Sequence, residues 1–440
     1  MYVLSAGRCL LVCLSLLGTA CQFFGQAENH NSVDQDQAAG AGLEAQVEEL
    51  LSRLDAPQRA VRDQAERDLM ALGRQAIPFL QPKRMLSPEA ALRLARVRTT
   101  LIEQIVATDA LPTRVTCKVT DLPLSEVVTK IAHQTGNAVT VSDEVAKLPV
   151  TWDCQEKTFW EALDELAALV DADVSPAETG GLVILPQKNR AVQSRVAVAY
   201  CGVFRVRLRD VIKIERQHNT SQVSLVRIEI AWEPRLQPAV IWWRGIHIDR
   251  EQPESAAIED KTLARREVPV SPQRCFIILT LPVTLPSDLE QKPAVLRGSF
   301  EPVLPIGATD VVFDLTDLQK GPRSVILGRS EITAELQRRS ANTCEVSLRV
   351  RYEEACGAFA SHRGWFYSWP VYLDTDGKKA LPRGVQLLRM TEDGVTLLYQ
   401  FGNAEVTGTR MVCRVPLAIV KPVVEFQLAL SLEERNRSKD

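Results

Sequence analysis

Between residues 113 and 170 the spacing of apolar positions changes twice, in the same order each time. Val115, Cys117 and Val119 alternate with Thr116 and Lys118, and Val150, Trp152 and Cys154 alternate with Thr151 and Asp153. A period of two is that of a strand with one buried face. A few residues later the apolar positions fall at helical spacing: Leu124, Val127, Val128, Ile131 and Ala132 in the first copy, Phe159, Ala162, Leu163, Leu166 and Ala167 in the second. The copies stay in phase 35 positions apart, Val115 matching Val150 and Leu124 matching Phe159. One strand–helix unit cannot cover its own apolar stripe, so the tandem pair predicts a shared core, with further strands at 138–142, 174–176 and 182–185. The result is a small β-α-β-β-α-β module over residues 113–188, with Leu163 on the buried stripe and Glu161 on the wet side.

Upstream, residues 44–110 carry only helical spacing. Asp55-Ala56-Pro57 opens a helix with Val61, Ala65, Leu69 and Leu72 as its stripe, and Gly73 closes it. A short helix follows at 77–80, then a longer one that starts at Ser87-Pro88-Glu89 and runs to about Ala107. Downstream the period returns to two. Phe204, Val206 and Leu208 alternate with Arg205, Arg207 and Arg209; Val226, Ile228, Ile230 and Trp232 with Arg227, Glu229 and Ala231. Similar runs occupy 344–352 and 424–432, with Asp376-Gly377 and Asp393-Gly394 as turn signals. These read as antiparallel sheets with one wet face, forming two β-sandwiches over 195–320 and 321–432, or one elaborated sandwich, with a boundary near Gly321. The fold class is multidomain α+β: a helical segment, the small module, then the sandwiches.

The stretch from Val115 to Pro176 resembles the short N-terminal domain shared by secretins and TonB-dependent receptors. It has a strand, an acidic-apolar-small turn (Asp121-Leu122-Pro123-Leu124-Ser125), an amphipathic helix, then the same again with Phe159-Trp160 opening the second helix. The resemblance implies a protein–protein contact role on the periplasmic side and carries over no active site. Unlike those proteins, this chain shows no outer-membrane barrel pattern: its strands are rich in Arg and Pro where lipid-facing residues would stand. The residues from Leu54 to Leu80 are similar to one HEAT-type helical repeat, and since such arrays need several units, the segment is expected to pack on a neighbouring domain.

The N-terminus adds a location. Arg8 precedes a short apolar core, Cys9 to Leu17, followed by Gly18, Thr19 and Ala20, the pattern of a signal peptide over residues 1–20. Two processing routes stand open: lipidation at Cys21, or ordinary cleavage after Ala20 or Ala27. Residues 21–43 have little to bury and read as a flexible tether, and 433–440 as a disordered tail. The chain is expected outside the cytoplasm, in the periplasm or envelope, touching the membrane only through a Cys21 anchor.

With 52 Lys and Arg against 55 Asp and Glu, the chain lacks the concentrated positive charge that nucleic acid requires. Beyond Cys21 stand seven cysteines, none at zinc-type spacing; Cys117 and Cys154 share the inward parity of their strands, which leaves a disulfide open if those strands are neighbours. His30, His133, His218, His247 and His362 are scattered, and no nucleophile–base set, phosphate loop or cofactor fingerprint occurs. Asp374-Thr375-Asp376-Gly377 begins like a calcium loop, but Lys378 and Lys379 follow, so it reads as a hairpin turn. No catalytic, metal or cofactor residue is assigned. One aromatic segment remains, at 361–369, where Trp365 and Trp369 either plug a core or form a ligand or partner surface. Of Trp242 and Trp243, on adjacent strand positions, one ring should point inward and the other outward. The function expected is a non-enzymatic envelope protein making protein–protein contacts with other envelope proteins. The alternatives are an envelope polysaccharide-binding module acting through Trp365 and Trp369 and, third, an enzyme.

Overall fold

The computed structural model describes residues 30–82, 85–177, 180–187, 197–213, 223–249, 266–285, 294–340, 343–360, 363–402 and 407–430. The signal segment, Cys21 and the tail at 433–440 lie outside them, as do His218 and His362.

The helical segment consists of α1 (His30–Arg53), α2 (Arg59–Ala71), a 3-10 stretch (Gly73–Phe79) and α3 (Pro88–Asp109). At the start of α3 the Ser87 hydroxyl accepts a hydrogen bond from the Ala90 amide at 3.3 Å, and Pro88 occupies a position where no donor is needed. The tether expected over 21–43 is corrected from His30 onward, because those residues belong to α1. Its last turns are anchored by Val47, Leu50, Leu51 and Leu54, all buried, and a nucleated helix propagates at little further expense into Ala- and Gln-rich sequence. The helices do not form their own core. Ile102 packs over Gly328 and Ile105 over Gly307, and one apolar cluster runs from Val47 through α3 into residues 311–419.

In the module, β1 (Arg114–Pro123), α4 (Leu124–Thr135) and β2 (Val139–Val141) are followed by β3 (Pro149–Thr158), α5 (Phe159–Leu169), β4 (Ala172–Pro176) and β5 (Leu182–Pro186). Strands β1 and β3 form an antiparallel ribbon; β5 lies between β2, parallel to it, and β4. The 35-residue repeat becomes a local two-fold axis. The Leu124 amide donates to the Leu148 carbonyl at 3.0 Å, and the Phe159 amide to the Thr113 carbonyl at 2.9 Å. The Asp121 and Glu156 amides donate to Thr151 Oγ1 and Thr116 Oγ1, each at 3.1 Å. Asp121 and Glu156 also share a left-handed backbone, at φ of 52° and 50°, which turns each strand into its helix. Both copies thus share these backbone and threonine contacts at the strand-to-helix junction.

Next come β6 (Val198–Cys201), β7 (Phe204–Lys213), β8 (Val223–Trp232), β9 (Val240–Asp249), β10 (Arg266–Pro269), β11 (Phe276–Thr284) and β12 (Ala294–Ile306). After them follow β13 (Thr309–Asp314), β14 (Arg323–Leu327), β15 (Ser330–Arg339), β16 (Cys344–Tyr352), β17 (Val371–Thr375) and β18 (Lys378–Ala380). The remaining strands are β19 (Gly384–Thr391), β20 (Gly394–Phe401), β21 (Thr409–Val415), β22 (Ala418–Val420) and β23 (Val424–Leu430). The sheet β11-β8-β7-β6 faces a sheet of β10, β9, β12 and β23, and Phe204 meets Phe300 edge-on across the gap with ring centroids 5.2 Å apart. Gly298 on β12 has no side chain because the Phe426 ring lies where a Cβ would stand, 2.4 Å away. The second pair of sheets is β13-β21-β17-β18 and β14-β15-β16-β20-β19.

Strand pairing moves the division between sandwiches from the expected Gly321 to Gly307. Strand β13 already pairs with β21, whereas β23 returns to β12 of the first sandwich. Gly321 only turns the chain inside the second sandwich, at φ 132°. The stretch Asp374 to Gly377 forms the hairpin turn expected of it: Thr375 pairs with Lys378, and Asp376 and Gly377 both have positive φ, at 49° and 81°.

Candidate functional site

The outer face of β7 is not wet, as alternation suggested. Arg205 and Glu229 are fully buried, because α5 and β4 of the module lie across this face. The Arg205 guanidinium stacks over the Trp160 ring at 4.3 Å from its centroid, donates to Asp164, and reaches the Val174 carbonyl at 3.2 Å. Arg207 donates to Asp173 at 2.9 Å. Glu229, on the neighbouring strand β8, faces three guanidiniums: Arg205 at 3.4 Å, Arg207 at 3.5 Å, and Arg209, which it holds by two hydrogen bonds. Three cations thus meet three carboxylates in a site that is closed to solvent at its centre. Burial by itself would raise the Asp173 carboxyl, but Arg207, with Arg205 and Arg209 behind it, outweighs that and holds it below its ordinary range. Burial and the adjacent Asp164 carboxylate push the Tyr200 phenol up. Trp160 closes the junction by donating its indole N–H to the Val203 carbonyl at 3.1 Å.

A second buried carboxylate ties three elements together. Glu233, just past β8, accepts from the Thr113 amide and hydroxyl, both at 2.9 Å, from Asn137 at 3.2 Å and from Arg235 at 2.7 Å. Arg235 in turn donates to the Asp109 carbonyl at 2.9 Å and the Leu111 carbonyl at 2.6 Å, capping the end of α3 with a cation where the helix carbonyls lack partners. These polar knots are joints: each brings together charged groups from separate segments.

An open concavity lies where the helical segment meets the first sandwich. A groove of about 640 Å³ runs between α3, the β6–β7 turn and the β22–β23 connection, walled by Val106, Phe204, Leu304 and Val423, with Lys421 and Glu425 beside them. Val423 is 52% exposed there. Sequence reading missed this groove, since its walls are separated by hundreds of positions and each reads locally as ordinary core.

Trp365 and Trp369 are 5% and 8% exposed, so the ligand or partner surface considered for them is corrected to a core plug. They stand 5.3 Å apart in an edge-to-face pair within a cluster that includes Phe359 and Phe366, and Trp365 donates to the Ala358 carbonyl at 3.0 Å. Trp365→Ala is accordingly expected to lower stability by about 3–5 kcal/mol in chemical denaturation, and the wild-type chain to pass unretarded through a column of wall polysaccharide. Of the tryptophan pair, Trp243 enters the first core. Trp242 packs toward the second sandwich, with the Arg363 guanidinium 5.6 Å and the Lys421 ammonium 5.9 Å from its ring centroid. Among the described residues no cluster of His, Cys, Asp or Glu is arranged to hold a metal ion, and no helix is long and apolar enough to cross a membrane.

Comparison with protein-family models, with curated proteins and with solved structures finds no match to this chain.

Proposed function

We propose that this chain is an exported, non-enzymatic protein of the cell envelope that mediates protein–protein contacts with other envelope proteins. The observation that carries the reading is the apolar groove at the meeting of α3, the β6–β7 turn and the β22–β23 connection, walled by Val106, Phe204, Leu304 and Val423. Its volume of about 640 Å³ suits one or two anchoring side chains of a partner, and buried apolar anchors supply most of the energy in protein contacts. The signal-like segment before Cys21 and the resemblance of residues 113–188 to secretin and TonB-receptor N-terminal domains support the same reading. Membrane contact would come only through a lipidated Cys21. The polysaccharide reading has lost its platform, since Trp365 and Trp369 are buried.

A photo-crosslinking residue at Val423 tests it. Irradiation of envelope preparations should yield a discrete cross-linked protein from this position and none from Tyr367, which is nearly as exposed on the second sandwich. An absence of any Val423 adduct beyond the Tyr367 background would remove the groove as the contact site.

A further inference from the structure

We propose that Cys117 and Cys154 are a modification site: a disulfide of a low-molecular-mass thiol oxidises them to an intramolecular disulfide across the β1–β3 ribbon. The two residues are direct partners in the antiparallel ladder. Opposed residues in such a ladder have Cα atoms about 4.5–5.5 Å apart, inside the roughly 4.4–6.8 Å that a disulfide spans. Both face inward, Cys117 9% exposed and Cys154 fully buried, so their side chains lie on one face. The local two-fold axis explains the meeting: the repeat counterpart of Cys117 is Trp152, which faces Val119, so two cysteines at non-equivalent repeat positions come together. Both thiols are free. Cys154 Sγ donates only a weak hydrogen bond to the Val115 carbonyl, at 3.4 Å, which rotation about its Cα–Cβ bond gives up. Among the described residues no other cysteine faces a cysteine in strand register.

The chemistry is two successive exchanges. The Cys117 thiolate, the outer of the two, attacks one sulfur of the oxidant RSSR, forming a mixed disulfide and releasing RS⁻. The Cys154 thiolate then attacks the Cys117 sulfur and expels the second RS⁻. The two protons lost by the cysteines are taken up by the two released thiolates, and the two electrons reduce RSSR to two RSH. Burial pushes both thiols up, so exchange in the folded chain is slow at neutral pH and accelerates as pH rises. The bond closes a loop holding α4 and β2 and pins both copies of the repeat beside their axis.

The full-length chain, folded and also refolded from denaturant, is incubated in oxidised-glutathione buffer, alkylated under denaturing conditions and digested with trypsin. The expected product is peptide 115–118 joined to peptide 148–157, lighter by two hydrogens than the sum of the free peptides and separated by dithiothreitol. The oxidised chain should melt several degrees above the reduced one, a difference that Cys117→Ala abolishes. The mapping on the unsubstituted chain decides independently of that variant's folding. Recovery of both peptides alkylated after refolding in the oxidising buffer, or linkage of Cys117 to any other cysteine, overturns the proposal.

Discussion

Glu229→Ala should be among the most damaging single substitutions in this protein, lowering stability by about 3–5 kcal/mol. It removes the carboxylate that Arg205, Arg207 and Arg209 all face, and Arg205 has no exposure through which to recover hydration. The loss measures stranded cations more than the worth of the original pairs. Pairing Glu229→Leu with Arg205→Met should therefore recover part of it, because apolar groups of similar volume need no partner. Chemical denaturation of the full chain reads both, and a wild-type midpoint in Glu229→Ala would show that the module does not close over β7. Acid should loosen the same joint. Asp173 titrates below its unfolded value, so its contribution is present above the ordinary carboxylate range and is lost as pH falls through the depressed folded value.

Leu163→Asp should have a comparable effect, of several kcal/mol, by placing an unpaired charge in a fully buried position. The form of the transition is the sharper test. Leu163 belongs to an apolar cluster that also holds Val203, Phe204 and Trp232, so module and first sandwich should lose structure together, in one transition. Two separated transitions, with only the module shifted, would mean the cores are independent. Glu161, on the wet side of the same helix, completes a capping box, accepting from the Thr158 amide at 3.1 Å and hydroxyl at 2.6 Å, so Glu161→Lys should cost only about 1 kcal/mol.

The parts of the fold that are legible in sequence are those whose burial is local. In the module, Val115 to Val119 and Leu124 to Ile131 each bury one face against an immediate neighbour, so period two followed by helical period suffices. The joints are not legible, because alternation records which residues are apolar and not which are covered. Arg205, Arg207 and Arg209 look identical to a solvated face; their cover, Asp164 and Asp173, lies in another module. A usable signal was present in three consecutive outward arginines opposite a single Glu229, a density of charge that solvation alone does not require. Strand order was equally hidden. Nothing in residues 424–430 distinguishes pairing with β12 from pairing with β21.

That return of β23 to β12 governs when the first sandwich can be completed. Residues 294–300 emerge from the ribosome long before residues 424–430, and until the latter exist one side of β12 is an unpaired, apolar edge. The second sandwich, whose strands are contiguous, is finished first. The first therefore waits on a long-range closure, which is slow and keeps the nascent chain incompletely folded throughout its synthesis. A chain ending after Val415 but before Val424 would carry a finished second sandwich on an open first one, with Gly298 and its neighbours deprived of the Phe426 ring that covers them.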